Sequence, residues 1–137
     1  MFDTKSLIQK LEKVGVQPTA QRIAIYQYVM NQGDHPTAEE IKTWADDNFP
    51  KMSLATIYNT LRILVEANLL KEFKLPHSSK VVYDNNIREH HHFLDDETGQ
   101  LIDLDPSLIQ LQPKLVREFE VNAVHVLLRG KRRRKSP

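Results

Sequence analysis

Residues 54–68 restrict the fold more than any other stretch of this chain. Ser53 precedes them, a residue type that caps helices by accepting from a free backbone N–H. Leu54, Ile57, Leu61, Leu64 and Val65 recur at helical spacing and predict a buried face. Ala55, Tyr58, Asn59 and Arg62, at i, i+3, i+4 and i+7, form an opposite polar stripe. Met52 and Ile57 occupy the two positions of a hydrophobic staple, which fixes how the chain enters the helix.

Three further helices are predicted upstream. Residues 3–14 place Leu7, Ile8, Leu11 and Val14 on one face, with Gly15 as the stop. Thr19 caps a second helix reaching Asn31 through Ile23, Tyr26, Val29 and Met30. Thr37-Ala-Glu-Glu40 reads as a capping box opening a third, with Ile41 and Trp44 turned inward. Downstream, Leu70–Leu75 and Lys80–Asp84 flank Pro76-His-Ser-Ser79 as a hairpin. Three helices and a hairpin, behind an extra N-terminal helix, give the order of a winged helix-turn-helix. In that fold the helix after Ser53 is the recognition helix. Its stripe suits base reading, because Asn can pair with adenine, Arg with guanine, and Ala or Tyr can touch a thymine methyl. Lys51, Ser53 and Thr56 lie near its N-terminus, where phosphates are favoured.

The pattern changes after Asp84. Residues 92–94 and 100–104 read as strands joined by the turn Asp95-Asp-Glu-Thr-Gly99. Pro106 is expected to start a helix carrying Leu108, Leu111, Leu115 and Phe119, and Val121–Leu128 to form a last apolar strand. Such a β-β-α-β lobe is too small to bury much surface alone, and its apolar strands suggest pairing with a second copy. The predicted class is therefore α+β: a winged helix-turn-helix domain over 1–84, a dimerisation and metal-sensing lobe over 85–130, and a basic tail over 131–137. Six of the 19 Lys and Arg residues fall in Arg129-Gly-Lys-Arg-Arg-Arg-Lys135, leaving the remainder net acidic. That tail is either a phosphate grip or a solubilising end.

His90-His91-His92 is the chemically loaded segment. On a strand, residues two apart share a face, so His90 and His92 point together and His91 points away. Between residues 84 and 105 there are seven acidic residues and one basic residue, a field that favours cations. Imidazole with carboxylate suits Fe(II), Mn(II), Zn(II) or Ni(II) and disfavours Cu(I). The chain has no cysteine, which excludes disulfides, iron–sulfur clusters and thiolate zinc sites. Two histidines and a carboxylate also describe the triad of non-haem iron oxygenases, the alternative from another class. Those enzymes use a larger β scaffold with a substrate cavity, and the chain offers neither. No nucleophile elbow, P-loop or Gly-rich phosphate motif occurs, so the chain is not expected to be an enzyme. No apolar run approaches the roughly 20 residues of a membrane span, and the N-terminus lacks a secretory apolar region. A cytoplasmic protein without a membrane partner is expected.

Taken together, His35-Pro-Thr-Ala38, Ser53-Leu-Ala-Thr-Ile-Tyr-Asn-Thr-Leu61, His90-His-His92 and Gly99-Gln-Leu-Ile-Asp103 resemble the ferric uptake regulator family. The resemblance runs from about Val14 to Gly130. It implies a homodimeric repressor that binds a pseudo-palindromic operator in double-stranded DNA. It also implies one regulatory divalent metal per subunit, Fe(II) or Mn(II) with Zn(II) as a substitute, held by His35, Asp84, His90, His92 and Asp103. His35 enters through the resemblance only. Tyr58, Asn59 and Arg62 are expected to read bases, and Arg22, Lys51, Ser53 and Thr56 to hold the DNA backbone. Asp103 stands where iron-uptake members carry Glu, and Asn59 where they carry Arg. Both point to the peroxide-responsive branch, in which Fe(II) reacts with hydrogen peroxide and a ligand histidine is oxidised; the candidates are His35 and His90. Relatives hold a structural zinc with two Cys-x-x-Cys pairs. Here Asp95 and Thr98 occupy the place of the first pair and the basic tail that of the second, so no structural zinc on four cysteines is expected. A further site of some relatives is incomplete, with Glu89 and Gln110 at its positions. An iron- or haem-responsive regulator of the same family, with histidine-ligated haem as its cofactor, is the alternative reading.

Overall fold

The computed structural model describes residues 1–76 and 78–134; His77 of the predicted turn and Lys135 of the basic run lie outside them. The chain divides into two compact units, the first spanning Met1–Ile87 and the second beginning at Arg88.

The first unit contains α1 (Thr4–Lys13), α2 (Ala20–Asn31), α3 (Ala38–Asn48), α4 (Leu54–Glu66), β1 (Lys71–Lys74) and β2 (Val81–Asp84). Each of these helices is capped by its preceding side chain. Asp3 accepts from Ser6 N at 2.7 Å, Thr19 from Arg22 N at 3.2 Å, Thr37 from Glu40 N at 3.1 Å and Ser53 from Thr56 N at 3.1 Å. Gly15 ends α1 in the left-handed region, φ 78°, where glycine carries no Cβ penalty. Leu7, Leu11, Ile25, Val29, Ile41, Ala45, Ile57, Leu61 and Leu64 are fully buried and form one core, closed by Met52. Val14, expected inward, is exposed because α1 has already reached its C-cap there.

β1 and β2 pair antiparallel, with Lys71 opposite Asp84 and Phe73 opposite Val82. The hairpin is also tied to the entrance of α3. Tyr83 N donates to Pro36 O at 2.9 Å, and Thr37 bridges Val82. This attachment carries the end of β2 to the loop that holds His35.

The second unit contains β3 (His91–Asp95), β4 (Leu101–Leu104), α5 (Pro113–Glu118) and β5 (Leu127–Gly130). β3 is central, antiparallel to β4 and parallel to β5. Two expectations are corrected. The helix foreseen from Pro106 to Phe119 is a 3-10 turn at Pro106–Leu108 followed by the separate α5. Pro113 causes the break: it pushes Gln112 into extended backbone, ψ 144°, and itself starts the next helix. The last strand is not Val121–Leu128 but Leu127–Gly130, because β3 pairs only from Leu127 onward. Leu108, Leu115, Val116, Phe119, Val121 and Leu128 are exposed in the single chain.

The turn Asp95-Asp-Glu-Thr-Gly99 is closed by hydrogen bonds. Asp95 Oδ1 accepts from Glu97 N at 2.9 Å and Thr98 N at 3.3 Å. Arg129 pairs with Asp96 at 3.0 Å, and Asp96 N donates to Gly130 O at 2.8 Å, fastening this turn to β5. No helix among the described residues is long and apolar enough to cross a membrane.

Candidate metal centre and nucleic-acid interface

The first unit brings two expected ligands together. His35 has φ 48°, a left-handed conformation in a residue that precedes proline and so prefers extended backbone. Such a residue costs on the order of 1–3 kcal/mol and persists only where its surroundings hold it. Here the surroundings are Pro36, buried and bonded to Tyr83, and Gly33, where an added Cβ would lie 2.8 Å from Pro36 Cγ. The His35 ring then lies between two carboxylates. Its Nε2 is 3.3 Å from Asp84 Oδ2 and its Nδ1 is 2.9 Å from Asp34 Oδ1. Asp84 is buried, and its other oxygen accepts from Asn86 N at 2.9 Å.

The second unit brings three more together. His92 and Asp103 face each other across the β3–β4 ladder, and Asp103 Oδ1 lies 3.4 Å from His92 Nε2 and 3.5 Å from His90 Nε2. The two rings meet edge to face at 4.6 Å, confirming a shared side for residues two apart. Both histidines are buried, whereas Asp103 is partly open. His91 points elsewhere and is buried as well; its Nδ1 accepts from Val126 N at 3.0 Å, which ties β3 to the approach of β5. His91 therefore has a structural task that the sequence did not disclose.

The ring nitrogens decide what this donor set can hold. His90 Nδ1 is 2.6 Å from Arg88 O, and a carbonyl only accepts, so the proton sits on Nδ1. The neutral ring then directs the Nε2 lone pair at the Asp103 carboxylate, acceptor against acceptor. A cation between them, either a second proton or a metal ion, resolves the conflict. His35 poses the same problem, with a carboxylate at each nitrogen. Histidine ligands with the outer N–H engaged and carboxylates opposite suit a borderline divalent metal. The residues present fit such an ion. Asp34 and His125, whose Nε2 is 3.1 Å from His92 Nδ1, complete the arrangement and were not foreseen. Asp34 could have been read from its place next to His35; His125 depends on the register of β5.

The polar stripe of α4 is exposed at Ala55, Tyr58, Asn59 and Arg62, and its side chains are mutually oriented. Arg62 donates to Asn59 Oδ1 at 2.6 Å and to Glu66 Oε1 at 3.4 Å. Tyr58 donates to Glu39 Oε1 of α3 at 2.5 Å. A groove of about 480 Å³ between the start of α2 and α4 brings Arg22, Thr56 and Asn59 together. Ser53 Oγ serves as the cap of α4 and lies 3.0 Å from Thr56 Oγ1, while Lys51 is exposed just before it.

A winged lobe with a solvent-facing recognition helix, joined in sequence to a small β lobe with a histidine–carboxylate cluster, defines a metal-dependent DNA-binding transcription regulator. The chain belongs to the ferric uptake regulator family, whose model matches residues 13–129. It is 36% identical over 117 residues to the peroxide-responsive repressor PerR of Staphylococcus epidermidis, covering 83% of this chain and 77% of that protein. It is 36% identical over 101 residues to the peroxide operon regulator of Bacillus subtilis, covering 74% and 69%. Among solved structures, the Campylobacter jejuni peroxide stress regulator superposes with a TM-score of 0.66 at 26% identity, covering 99% of this chain and 100% of that one.

Proposed function

We propose that this protein is a homodimeric repressor whose operator binding depends on one divalent ion per subunit and is released by hydrogen peroxide. The observation that carries the metal reading is the opposition of lone pairs: His90 Nε2 faces Asp103 and His35 faces two carboxylates, so each group needs a cation. His35, Asp84, His90, His92 and Asp103 are the proposed ligands, as the family resemblance implies. A bound Fe(II) would supply the redox chemistry by which hydrogen peroxide gives one oxygen atom to a neighbouring imidazole and leaves as water. His35 and His90 are the proposed imidazoles that take up oxygen. An oxidised ring no longer presents the same Nε2 donor, so the operator-binding state loses the metal free energy that supports it. A few kcal/mol of differential binding moves such an equilibrium by orders of magnitude. Tyr58, Asn59 and Arg62 are the proposed base readers, with Arg22, Lys51, Ser53 and Thr56 on the DNA backbone.

The likeness to relatives named for peroxide response supports the signal. Purification without oxygen, metal analysis and mass spectrometry after peroxide test it. The expected result is iron or manganese in the protein and one added oxygen on the His35 or His90 peptide of the Fe(II) form. Unmodified histidine peptides with metal-dependent operator binding intact would leave a metal-level sensor instead.

A further inference from the structure

We infer that His125 is a positioning residue for the ligand His92: it accepts the Nδ1 proton of His92 and so leaves the Nε2 lone pair for the metal. The inference rests on the metal reading above.

Three facts support it. His92 Nε2 faces Asp103 at 3.4 Å, so the metal-directed nitrogen is already assigned, and His92 Nδ1 lies 3.1 Å from His125 Nε2. The backbone beside His125 is fixed independently of its own ring, because His92 N donates to Val126 O at 3.1 Å and Val126 N donates to His91 Nδ1 at 3.0 Å. The outer nitrogens of the other two ligand histidines are similarly engaged, His90 by the Arg88 carbonyl and His35 by the Asp34 carboxylate. At His92 the partner is a second imidazole. A neutral imidazole accepts through one nitrogen only, so His125 must carry its own proton on Nδ1. Outer partners of this kind fix a ligand's tautomer and ring orientation, and losing one typically lowers metal affinity about 10- to 100-fold.

The test uses the full chain and three variants. His125→Leu removes the acceptor, His125→Gln retains one, and His92→Ala removes the ligand. Two readouts are needed: Mn(II) affinity by competition with a fluorescent chelator, and long-range ¹H–¹⁵N spectra of the histidine rings without metal. The wild-type protein is expected to carry the His92 proton on Nδ1. His125→Leu is expected to lose Mn(II) affinity about 10- to 100-fold and to release His92 into the other tautomer, with His125→Gln close to wild type. The inference is overturned if His125→Leu binds Mn(II) like wild type while His92→Ala does not, or if His125→Gln is as weak as His125→Leu. If His92→Ala also binds like wild type, the metal reading fails and takes the inference with it. Should His125→Leu not fold, a wild-type His92 protonated on Nε2 overturns the inference by itself.

Discussion

Tyr58, on the exposed stripe of α4, donates its hydroxyl to Glu39 of α3 at 2.5 Å, so a residue expected to read bases is held by a neighbouring helix. The bond has opposite effects on its partners. It lowers the Glu39 carboxyl below its usual range and raises the Tyr58 phenol above its own. Glu39's contribution is present above the ordinary carboxylate range and is lost as pH falls through the lowered value. Tyr58's contribution is present below the ordinary phenol range and is lost as pH rises through the raised value. Titration of ¹³C-labelled tyrosine rings should show Tyr58 above its ordinary value, and Glu39→Ala should bring it down. Tyr83 should titrate higher, near 12, mainly because it is buried.

Tyr58→Phe should separate binding from stability. The pair is exposed, so the stability change is expected to stay within about 0.5 kcal/mol in urea titrations. Operator affinity should fall by roughly 1–3 kcal/mol if the hydroxyl contributes to a base contact. Equal loss on operator and random DNA would remove Tyr58 from the base readers.

His35→Asn should uncouple backbone strain from metal binding. Asn tolerates the left-handed region better than most residues, so the metal-free variant is expected to be no less stable than wild type. Wild type should gain about 2.7 kcal/mol at a Mn(II) concentration roughly 100 times its Kd, and the variant should gain far less. Urea unfolding with and without Mn(II) measures both; an equal gain in the two proteins would exclude His35 as a ligand.

Ser53→Ala removes the cap that accepts from Thr56 N at 3.1 Å. A stability loss of about 1 kcal/mol, within a range of roughly 0.5–2, is expected. Chemical denaturation is the check, and Ser53→Asp, which can still cap, should recover most of the loss.

Val116 and Phe119 lie exposed on and just after α5, at 58% and 59%. Val116→Asp with Phe119→Asp should convert the proposed dimer into folded monomers, read by sedimentation with circular dichroism. A dimer that survived both charges would place the interface elsewhere.

The helical half of the fold was legible because its signals are local. Thr19, Thr37 and Ser53 each stand one residue before the helix they cap, and the apolar spacing of α4 needs no distant partner. The second unit depends on pairing, which spacing alone does not reveal. The strand foreseen at Val121–Leu128 is apolar enough, but the parallel register with β3 begins at Leu127. Apolar spacing runs on from Pro106 to Phe119, but Pro113 divides the segment in two. The same contrast holds at the site. His90 and His92 followed from strand alternation and Asp103 from its flanking charge, whereas His125 depends on a strand register that joins residues 33 positions apart.

The central strand of the second unit gains its two neighbours at different times during synthesis. β4 follows β3 within a few residues and can close on it at once, whereas β5 leaves the ribosome only after α5 has passed. The winged lobe, complete by Ile87, can fold while the sheet beside His92 still lacks one edge. The winged lobe can therefore be in place before the sheet that carries the proposed ligands is complete, and His90 meets Asp103 before His125 has arrived.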